Sequence, residues 1–323
     1  MSPVRLSLLF VNGGKMRVIF LGTPDFGVPA LDAINSRHTV VACVCQPDKV
    51  GARGKTEFCP VKKYALAHDI PVYQFEKISR DGVETLTELR PDIMVTAAYG
   101  QILSQQVIDI APHGIVNIHG SLLPELRGAA PIQYAVWQGL KQTGITILQT
   151  VKAVDAGDML LQRSLDILPY ETNGELFARM SALGAECIVE ALDKIADGTA
   201  VFTPQDESKA TFCHKISAET EHIDWNKTAD ELINLVRALN PSPAAWTSID
   251  GKRLKIYALR PTDKTYPEAE PGTIVECGKK VLAVACRDGA VNVTELQKEN
   301  GRKMDVAAFL CGTRLPVGAK FDL

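Results

Sequence analysis

The chain has 323 residues, of which 46% are hydrophobic and 23% are charged, and its net charge is −3. This composition is typical of a globular protein and excludes the collagen-like, disordered and coiled-coil classes. The length suggests two domains with cores large enough to need no disulfide or metal for stability. No apolar stretch approaches the roughly 18 residues that a membrane span requires.

The N-terminal residues precede the first recognisable strand. The apolar run from Leu6 to Val11 is short and is interrupted by Ser7, and no small-residue cleavage site follows, so no secretory signal is expected. Residues 1–15 are therefore interpreted as an extension or a mis-assigned start, with Met16 as the effective beginning.

The eight cysteines lack zinc-ligand spacing and are expected to be free thiols in a reducing cytoplasm.

Strand and helix signals alternate through the first half of the chain. In order, the predicted elements are a strand over residues 17–21, a helix over 28–34, a strand over 39–45, a helix over 61–68, an extended segment over 71–74, a helix over 82–89, a strand over 92–97, a helix over 104–110 and a strand over 115–119. Helices that alternate with mostly apolar strands predict a Rossmann-like α/β fold with a mostly parallel sheet. Ligands of such sheets bind beyond the carboxyl ends of the strands.

The second half changes character after one long helix. Its predicted elements are strands over 144–150 and 159–165, helices over 172–196 and 228–238, and short strands over 246–249, 254–259, 272–276, 281–285 and 291–296. The five short strands predict an OB-like β-barrel. The predicted domains are thus a catalytic domain over 16–199, a linker over 200–221 and a C-terminal barrel over 222–323.

Charge is distributed unevenly between these parts. Residues 241–323 carry a net charge of +3, whereas residues 1–240 carry −6. A basic C-terminal part on an acidic chain indicates a polyanionic partner, although three surplus charges are also common on a solvated surface.

The first strand is not followed by a nucleotide-binding loop. Its loop reads GTPDFG rather than G-x-G-x-x-G, and Pro24 lacks the backbone N–H that a phosphate would use. This argues against an NAD site, and no P-loop motif occurs elsewhere in the sequence.

Polar residues cluster at the end of the strand over 115–119. Asn117 and His119 alternate along it, so both side chains lie on one face. Two such donors could stabilise a developing oxyanion, although a polar pair at a strand end can also cap backbone groups. Asp155, in a glycine-containing loop, could orient the histidine or accept a proton. The alternative interpretation is that Asp155 only stabilises a turn. With no nucleophile elbow and no metal-ligand motif, the trio fits direct attack by a substrate amine on an acyl group.

These residues lie within a series of motifs that resembles the folate-dependent formyltransferases. The motifs, in order, are LGTPDFGVPAL, QPDK, AYGQIL, NIHGSLLPELRGAAPIQ and VDAGDML, followed by RALNPSPAAW and PGTI in the C-terminal part. They extend over nearly the whole chain from Met16. The combination with a C-terminal barrel is similar to the members of the family that formylate methionyl initiator tRNA.

The resemblance implies that 10-formyltetrahydrofolate donates a formyl group to the α-amine of methionyl initiator tRNA, with no metal. It makes Asn117, His119 and Asp155 the catalytic residues. Asn117 and protonated His119 would stabilise the oxyanion, and Asp155 would set the state of His119 and relay the amine proton. The implied folate-binding residues are Ser121, Leu122, Leu123, Pro124, Tyr99, Gly100 and Ile102.

The resemblance also gives the polar loop over 48–58 a role at the tRNA acceptor stem. Its cations are Lys49, Arg53 and Lys55, and the loop is about one residue shorter than the family form. Candidates for phosphate contacts in the barrel are Lys252, Arg253, Lys279 and Lys280, with Lys255, Arg302 and Lys303 beside them.

Two other functions remain open at this stage. One is the same formyl chemistry on a small amine, such as a sugar nucleotide or glycinamide ribonucleotide. The other is a catalytically silent tRNA-binding protein. The sequence carries no interface signature, so a monomer is expected.

Overall fold

The computed structural model describes residues 14–50 and 56–322. The chain divides by its internal contacts into two units. The first comprises Met1–Arg127, Gly144–Ser164 and Ala178–Thr211. The second comprises Gly128–Thr143, Leu165–Phe177 and Phe212–Leu323. The interpretation of residues 1–15 as an extension concerns a segment that lies almost entirely outside the described residues.

The elements up to the predicted catalytic strand are β1 (Arg17–Gly22), α1 (Val28–Arg37), β2 (Thr39–Cys45), β3 (Lys49–Val50), β4 (Thr56–Glu57), α2 (Pro60–Ala67), β5 (Val72–Gln74), α3 (Ile78–Asp81), α4 (Val83–Glu88), β6 (Ile93–Ala97), α5 (Gln105–Ile108) and β7 (Ile115–His119). They are followed by β8 (Arg127–Gly128), α6 (Pro131–Trp137), β9 (Gln142–Gln149), β10 (Met159–Asp166) and α7 (Asn173–Ala196). The remaining elements are β11 (Phe212–Cys213), α8 (Ala229–Ala238), β12 (Ala245–Ile249), β13 (Lys252–Pro261), β14 (Ile274–Cys277), β15 (Leu282–Cys286), β16 (Gly289–Lys298), β17 (Met304–Asp305) and α9 (Val306–Cys311).

A seven-stranded sheet forms the centre of the first unit, in the order β10-β9-β7-β6-β1-β2-β5. Neighbouring strands from β5 to β7 pair in parallel, and β9 runs antiparallel to β7. All five residues of β6 are buried, as expected for a strand covered on both faces. The prediction of a mostly parallel α/β sheet is confirmed.

Apolar side chains from the strands and from the flanking helices share one core. Ile19 and Leu21 of β1 pack in the same cluster as Val44 of β2, Leu86 of α4 and Val107 of α5. All five are fully buried. Burying each such side chain stabilises the fold by roughly 1.5–3 kcal/mol. The same cluster includes Met94 of β6 and Ile115 of β7, so it packs beneath the strands from which the site loops begin.

The second unit contains an antiparallel sheet in the order β12-β13-β16-β15-β14, with β17 paired to β16. It includes the five strands that the sequence predicts. The pairing begins at β12 and ends at β14, and within the described residues no ladder joins these two edges. The buried Trp225 donates from Nε1 to the Thr247 hydroxyl (3.0 Å) and stacks on Phe321. The core of the unit thus includes the helical and C-terminal segments that flank the sheet.

Several short elements have no counterpart in the sequence prediction. These include α6, which packs against α8, and α9, whose first turn is capped by the Asp305 side chain. The segment interpreted as a linker contains a 3-10 turn over Glu207–Lys209 and then β11. The polar loop contains the β3–β4 pairing. Within the described chain, no helix combines the length and the apolar character needed to cross a membrane.

Candidate active site

The predicted donor pair lies at the carboxyl end of β7. Asn117 is paired in register with Thr96 of β6 on one side and with Leu148 of β9 on the other. His119 follows two residues later, so both side chains emerge on one face of the sheet. The site therefore occupies the edge at which parallel strands end and loops begin, where ligands of this architecture bind.

The structure brings the three predicted catalytic residues together. Asn117 Nδ2 lies 3.4 Å from Asp155 Oδ1, and His119 Nδ1 lies 3.5 Å from Asp155 Oδ2. The side chains of His119 and Asp155 are 5% and 14% exposed. Asp155 adopts a left-handed backbone conformation with φ of 51°. Asp155 thus presents one carboxylate oxygen to each of the two donors.

A residue that the sequence analysis missed fixes the Asn117 amide. The buried Thr96 hydroxyl donates to Asn117 Oδ1 at 2.8 Å. This contact assigns the amide oxygen to Thr96 and turns the NH₂ group toward Asp155. The available signal was a single hydroxyl in the otherwise apolar strand IMVTA.

His119 has an acceptor at each ring nitrogen. Its Nε2 lies 3.0 Å from the Leu126 carbonyl oxygen, and because a carbonyl only accepts, Nε2 carries the proton of this bond. Nδ1 faces the Asp155 carboxylate. A substrate oxyanion that bound Nε2–H would share that proton with the Leu126 carbonyl.

The cluster places two N–H donors beside one carboxylate. Asn117 offers an amide N–H donor, His119 offers a ring N–H donor, and Asp155 offers acceptor oxygens beside both. Fixed donors aimed at a developing negative charge stabilise a tetrahedral intermediate more effectively than mobile water does.

The predicted folate-binding block follows directly after β7. The side chains of Ser121 and Leu123 are buried, and their polar groups already have partners. The Ser121 hydroxyl donates to the Glu125 carbonyl at 2.6 Å, and the Leu123 N–H donates to Thr146 Oγ1 at 3.1 Å. Leu122 and Pro124 are half-buried.

Two further polar residues outside the predicted set hold this block. Thr146 Oγ1 donates to the Ser121 carbonyl at 2.7 Å, and Gln162 Nε2 donates to the Leu123 carbonyl at 2.7 Å. Thr146 on β9 and Gln162 on β10 therefore fix the backbone of the loop after β7. Thr146 is fully buried, whereas Gln162 occupies an exposed position of its strand, so the sequence pattern did not group the two.

The other predicted folate residues follow β6, the strand beside β7. Ile102 is 81% exposed, whereas Tyr99 is 4% exposed. The Tyr99 hydroxyl is buried with no hydrogen-bond partner in the described chain, and burial raises the pKa of this group, with a smaller contribution from Cys45. Gly100 has a φ of 88°, a conformation that favours glycine. The loops after β6 and β7 end on the same edge of the sheet.

The predicted tRNA-binding cations differ in their surroundings. Lys49, Lys252, Lys279 and Lys280 are exposed, as is Arg302. Arg253 instead stacks on the Trp246 ring (4.1 Å) and approaches Glu221 (3.5 Å). The four other predicted cations are Lys255, Lys303, Arg53 and Lys55. Lys255 donates to the Pro243 carbonyl and Lys303 pairs with Glu295, while Arg53 and Lys55 lie outside the described residues.

A cavity of about 790 Å³ lies entirely within the second unit. Its lining includes Tyr170, Arg237, Tyr257, Arg260 and Lys303, and it involves none of the predicted catalytic or folate residues. Within the described ranges, no cluster of three or more His, Cys, Asp or Glu side chains is arranged to hold a metal ion.

Comparison with known families identifies the class of protein. The profile of the formyl transferase family matches residues 16–192, and that of the formyl transferase C-terminal domain matches residues 215–314. The first match covers the whole seven-stranded sheet and the Asn117, His119 and Asp155 cluster. The fold and the site therefore define a formyl transferase, which confirms the resemblance drawn from the motifs.

Curated relatives narrow the class further. The methionyl-tRNA formyltransferase of Acetivibrio thermocellus is 44% identical over 306 residues, which cover 94% of this chain and 98% of the relative. That of Bacillus subtilis is 42% identical over 310 residues, which cover 94% and 96%. The chain belongs to the methionyl-tRNA formyltransferase family.

Solved structures support the fold independently. An N-formyltransferase from Helicobacter canadensis, crystallised with folinic acid and dTDP-3-aminofucose, superposes with a TM-score of 0.67 at 18% identity. The match covers 88% of this chain and 100% of that one. At this identity the likeness concerns the fold.

Proposed function

We propose that this protein transfers the formyl group of 10-formyltetrahydrofolate to the α-amino group of methionyl initiator tRNA, in support of translation initiation. The observation that carries the proposal is the Asn117, His119 and Asp155 cluster, in which the Asp155 carboxylate lies 3.4 Å from Asn117 and 3.5 Å from His119. It occurs in a chain that aligns over 94% of its length with methionyl-tRNA formyltransferases.

In the proposed mechanism the methionyl amine attacks the formyl carbon directly. The carbonyl π electrons move to oxygen, and the oxyanion accepts hydrogen bonds from Asn117 Nδ2 and His119. Collapse of the tetrahedral intermediate breaks the bond between the formyl carbon and N10 of the folate. Asp155 helps to transfer the amine proton, through water, toward the departing N10. The enzyme contributes position and charge, and no covalent acyl-enzyme forms.

Folate is proposed to lie along the loops that follow β6 and β7. The proposal assigns it to residues 121–124, with Tyr99, Gly100 and Ile102 nearby. It is supported by the shared sheet edge of the two loops and by the large exposed apolar side chain of Ile102. An apolar surface beside a fixed polar site suits a flat ring system that carries a few polar groups.

The tRNA is proposed to bind the basic C-terminal part and the polar loop over 48–58. Residues 241–323 carry a net charge of +3, and the exposed Lys252, Lys279 and Lys280 are suited to phosphate contacts. We also propose a monomer that acts in the reducing cytoplasm. The eight free cysteines support that compartment.

Formyl transfer to methionyl initiator tRNA tests the proposal directly. Product is expected on the charged tRNA, with none on free methionine or on uncharged tRNA. His119→Ala and Asp155→Ala should each lower kcat by about a hundredfold or more, with the fold intact by circular dichroism. Formylation of an amino sugar nucleotide in place of the tRNA would contradict the proposed acceptor. A His119→Ala variant with nearly full activity would contradict the proposed roles.

A further inference from the structure

The segment between Gln205 and Thr211 makes contacts that its polar, irregular sequence does not suggest. It falls within the predicted linker, yet it belongs by its contacts to the first unit. We name residues 205–211 the strap. Its two ends contact the two loops that carry the partners of His119.

The first end of the strap holds the loop that carries Asp155. Gln205 Nε2 donates to the carbonyl oxygens of Asp155 and Gly157, at 2.8 and 2.7 Å. Asp155 is in the left-handed region, which non-glycine residues adopt at a cost unless neighbouring contacts fix it. The same loop lies so close to β9 that a Cβ on Gly157 would overlap the Gln149 carbonyl oxygen. Gln205 therefore fixes a loop that combines a left-handed aspartate with a close backbone contact at Gly157.

Arg127 determines the orientation of the Gln205 amide. Its guanidinium donates from Nε and Nη2 to Gln205 Oε1, at 3.0 and 2.7 Å. It also binds both carboxylate oxygens of Glu207, at 2.7 and 2.9 Å. Arg127 is 3% exposed. With the amide oxygen bound in this way, the NH₂ group faces the Asp155 loop.

The second end of the strap holds the turn that carries the acceptor of His119 Nε2. Thr211 Oγ1 accepts from the Leu126 N–H at 2.8 Å, and the Thr211 carbonyl accepts from the Arg127 N–H at 2.9 Å. The Thr211 N–H donates to the Pro124 carbonyl at 3.2 Å. Leu126 is left-handed, with φ of 57°, and its carbonyl is the one that His119 Nε2 contacts.

We infer that Gln205 and Thr211 are positioning residues for formyl transfer, which hold the Asp155 loop and the Leu126 carbonyl in place on the two sides of the His119 ring. The inference rests on the proposed function of His119 and Asp155. Neither residue touches the reacting atoms. Gln205 acts through Asp155, which faces Nδ1 of the imidazole, and Thr211 acts through the Leu126 carbonyl, which faces Nε2. Supporting residues of this kind hold the residues of a functional site in the productive geometry.

Matched substitutions separate this role from general support of the fold. Gln205→Glu keeps an acceptor for Arg127 but loses both donors to the Asp155 loop, and Gln205→Leu loses all four hydrogen bonds. Thr211→Val removes the hydroxyl acceptor, whereas Thr211→Ser retains it. Lys209→Gln, at a side chain that is 73% exposed, is the control within the strap.

The kinetic expectation is a loss of kcat with little change in KM. Gln205→Glu, Gln205→Leu and Thr211→Val should each lower kcat about tenfold or more, with KM for 10-formyltetrahydrofolate within about twofold of wild type. Thr211→Ser should recover kcat to within about threefold, and Lys209→Gln should match wild type. Unchanged kcat in Gln205→Leu would overturn the inference, as would equal losses in Thr211→Val and Thr211→Ser.

Hydrogen exchange followed by mass spectrometry tests the positioning without any assay of activity. Gln205→Leu should accelerate exchange in peptides that cover 150–158, and Thr211→Val should do so in peptides that cover 124–127. Peptides from β15 should exchange as in wild type. Acceleration spread evenly over the first unit would indicate a general structural role and would overturn the inference. If wild type failed to formylate any acceptor, the proposed function would fail, while this comparison would still decide whether the strap holds the two loops.

Discussion

Thr96 illustrates how one hydroxyl can decide which end of an amide faces a substrate. Its donation to Asn117 Oδ1 at 2.8 Å leaves the NH₂ group as the end that faces Asp155. Without that bond the amide could rotate and present an acceptor where the proposed oxyanion forms, which would be repulsive. The orientation of Asn117 is therefore set by a residue on the neighbouring strand.

Thr96→Val tests this dependence with almost no change in volume. We expect kcat for formyl transfer to fall about tenfold, which corresponds to roughly 1.4 kcal/mol of transition-state stabilisation. KM for the folate should change little. Thr87→Val, at an exposed residue whose hydroxyl donates to the Val83 carbonyl in its own helix, is the matched control and should retain full activity. Equal kcat in both variants would mean that Asn117 keeps its orientation without Thr96.

His38 is the buried histidine from which we expect a pH-dependent stability of the first unit. Its side chain is 1% exposed, Nδ1 accepts from the Met16 N–H, and Nε2 lies 3.9 Å from Asp193. Burial lowers the pKa of His38, with Asp193 opposing and Arg37 and Lys15 adding to the shift. The unfolded chain, with a pKa near 6.5, therefore binds a proton more readily than the folded one does.

The contribution of His38 to the free energy of unfolding is accordingly expected to be fully present above about pH 6.5. Below that value the free energy of unfolding should fall by up to about 1.4 kcal/mol per pH unit. Urea unfolding between pH 5 and 8 measures this slope. His38→Asn, which retains an acceptor for Met16, should flatten the profile over that range. His113→Asn, at an exposed histidine of the same unit, serves as the control. An unchanged slope in His38→Asn would assign the acid sensitivity to other groups.

At the scale of elements, the polar loop over 48–58 is the segment whose proposed role depends most on charge. Its described ends pair as β3 and β4, and Lys62 at the start of α2 pairs with Asp48. The loop is therefore anchored to the first unit beside the sheet. A basic loop whose two ends are held in place is suited to contact an RNA backbone.

Arg53→Ala should weaken transfer to methionyl-tRNA far more than it weakens folate binding. We expect kcat/KM for the tRNA to fall by about tenfold or more, because one arginine contact to RNA contributes about 1–3 kcal/mol. Folate binding, followed by fluorescence titration, should stay within about twofold. Lys63→Ala removes a nearby cation that pairs with Glu57 (3.4 Å), and it should leave both quantities close to wild type. Equal losses for tRNA and folate would contradict a role in tRNA recognition.

The sequence predicted those elements whose patterns are local and lacked a signal for the contacts that complete the site. The alternation of Asn117 and His119 fixed their common face, and the apolar run over 39–45 matches β2 residue for residue. The strap was interpreted as a linker, because its stabilising partners lie 48 to 85 residues away in the chain. Thr96 was missed for the same reason, since its role depends on strand pairing.

Short helices escaped prediction for a different reason. The helix α6 has seven residues and begins at Pro131, so it shows less than two full turns of apolar periodicity. Its packing against α8, about a hundred residues later, is what makes the segment helical in the fold. Length-based pattern rules cannot anticipate a helix of this kind.

At the scale of the whole molecule, charge is distributed unevenly along the chain. Residues 1–240 carry −6 and residues 241–323 carry +3, so the net charge of the C-terminal part favours contact with a polyanion. The proposed tRNA complex should therefore weaken with added salt. Each phosphate contact steepens the plot of log affinity against log salt by about 0.7–0.9.

Replacing Lys279 and Lys280 together with glutamine should flatten that plot by about one to two units. The measurement is kcat/KM for methionyl-tRNA between 50 and 300 mM KCl. Lys264→Gln is the matched control, because Lys264 is already paired with Glu276 at 2.6 Å. A double variant with the salt dependence of wild type would remove these two lysines from the tRNA surface.

The burial of most of the eight thiols makes the protein suitable for site-specific labelling. Burial raises the pKa of Cys187 and Cys286 to about 11 and that of Cys43 to about 12, so these side chains are protonated and slow to react near neutral pH. Cys311, at the end of α9, is the exposed one among the eight. A maleimide fluorophore should attach there first, without any engineered cysteine. A change in its fluorescence on addition of tRNA would then report the proposed binding at the basic C-terminal part in real time, on the unaltered chain.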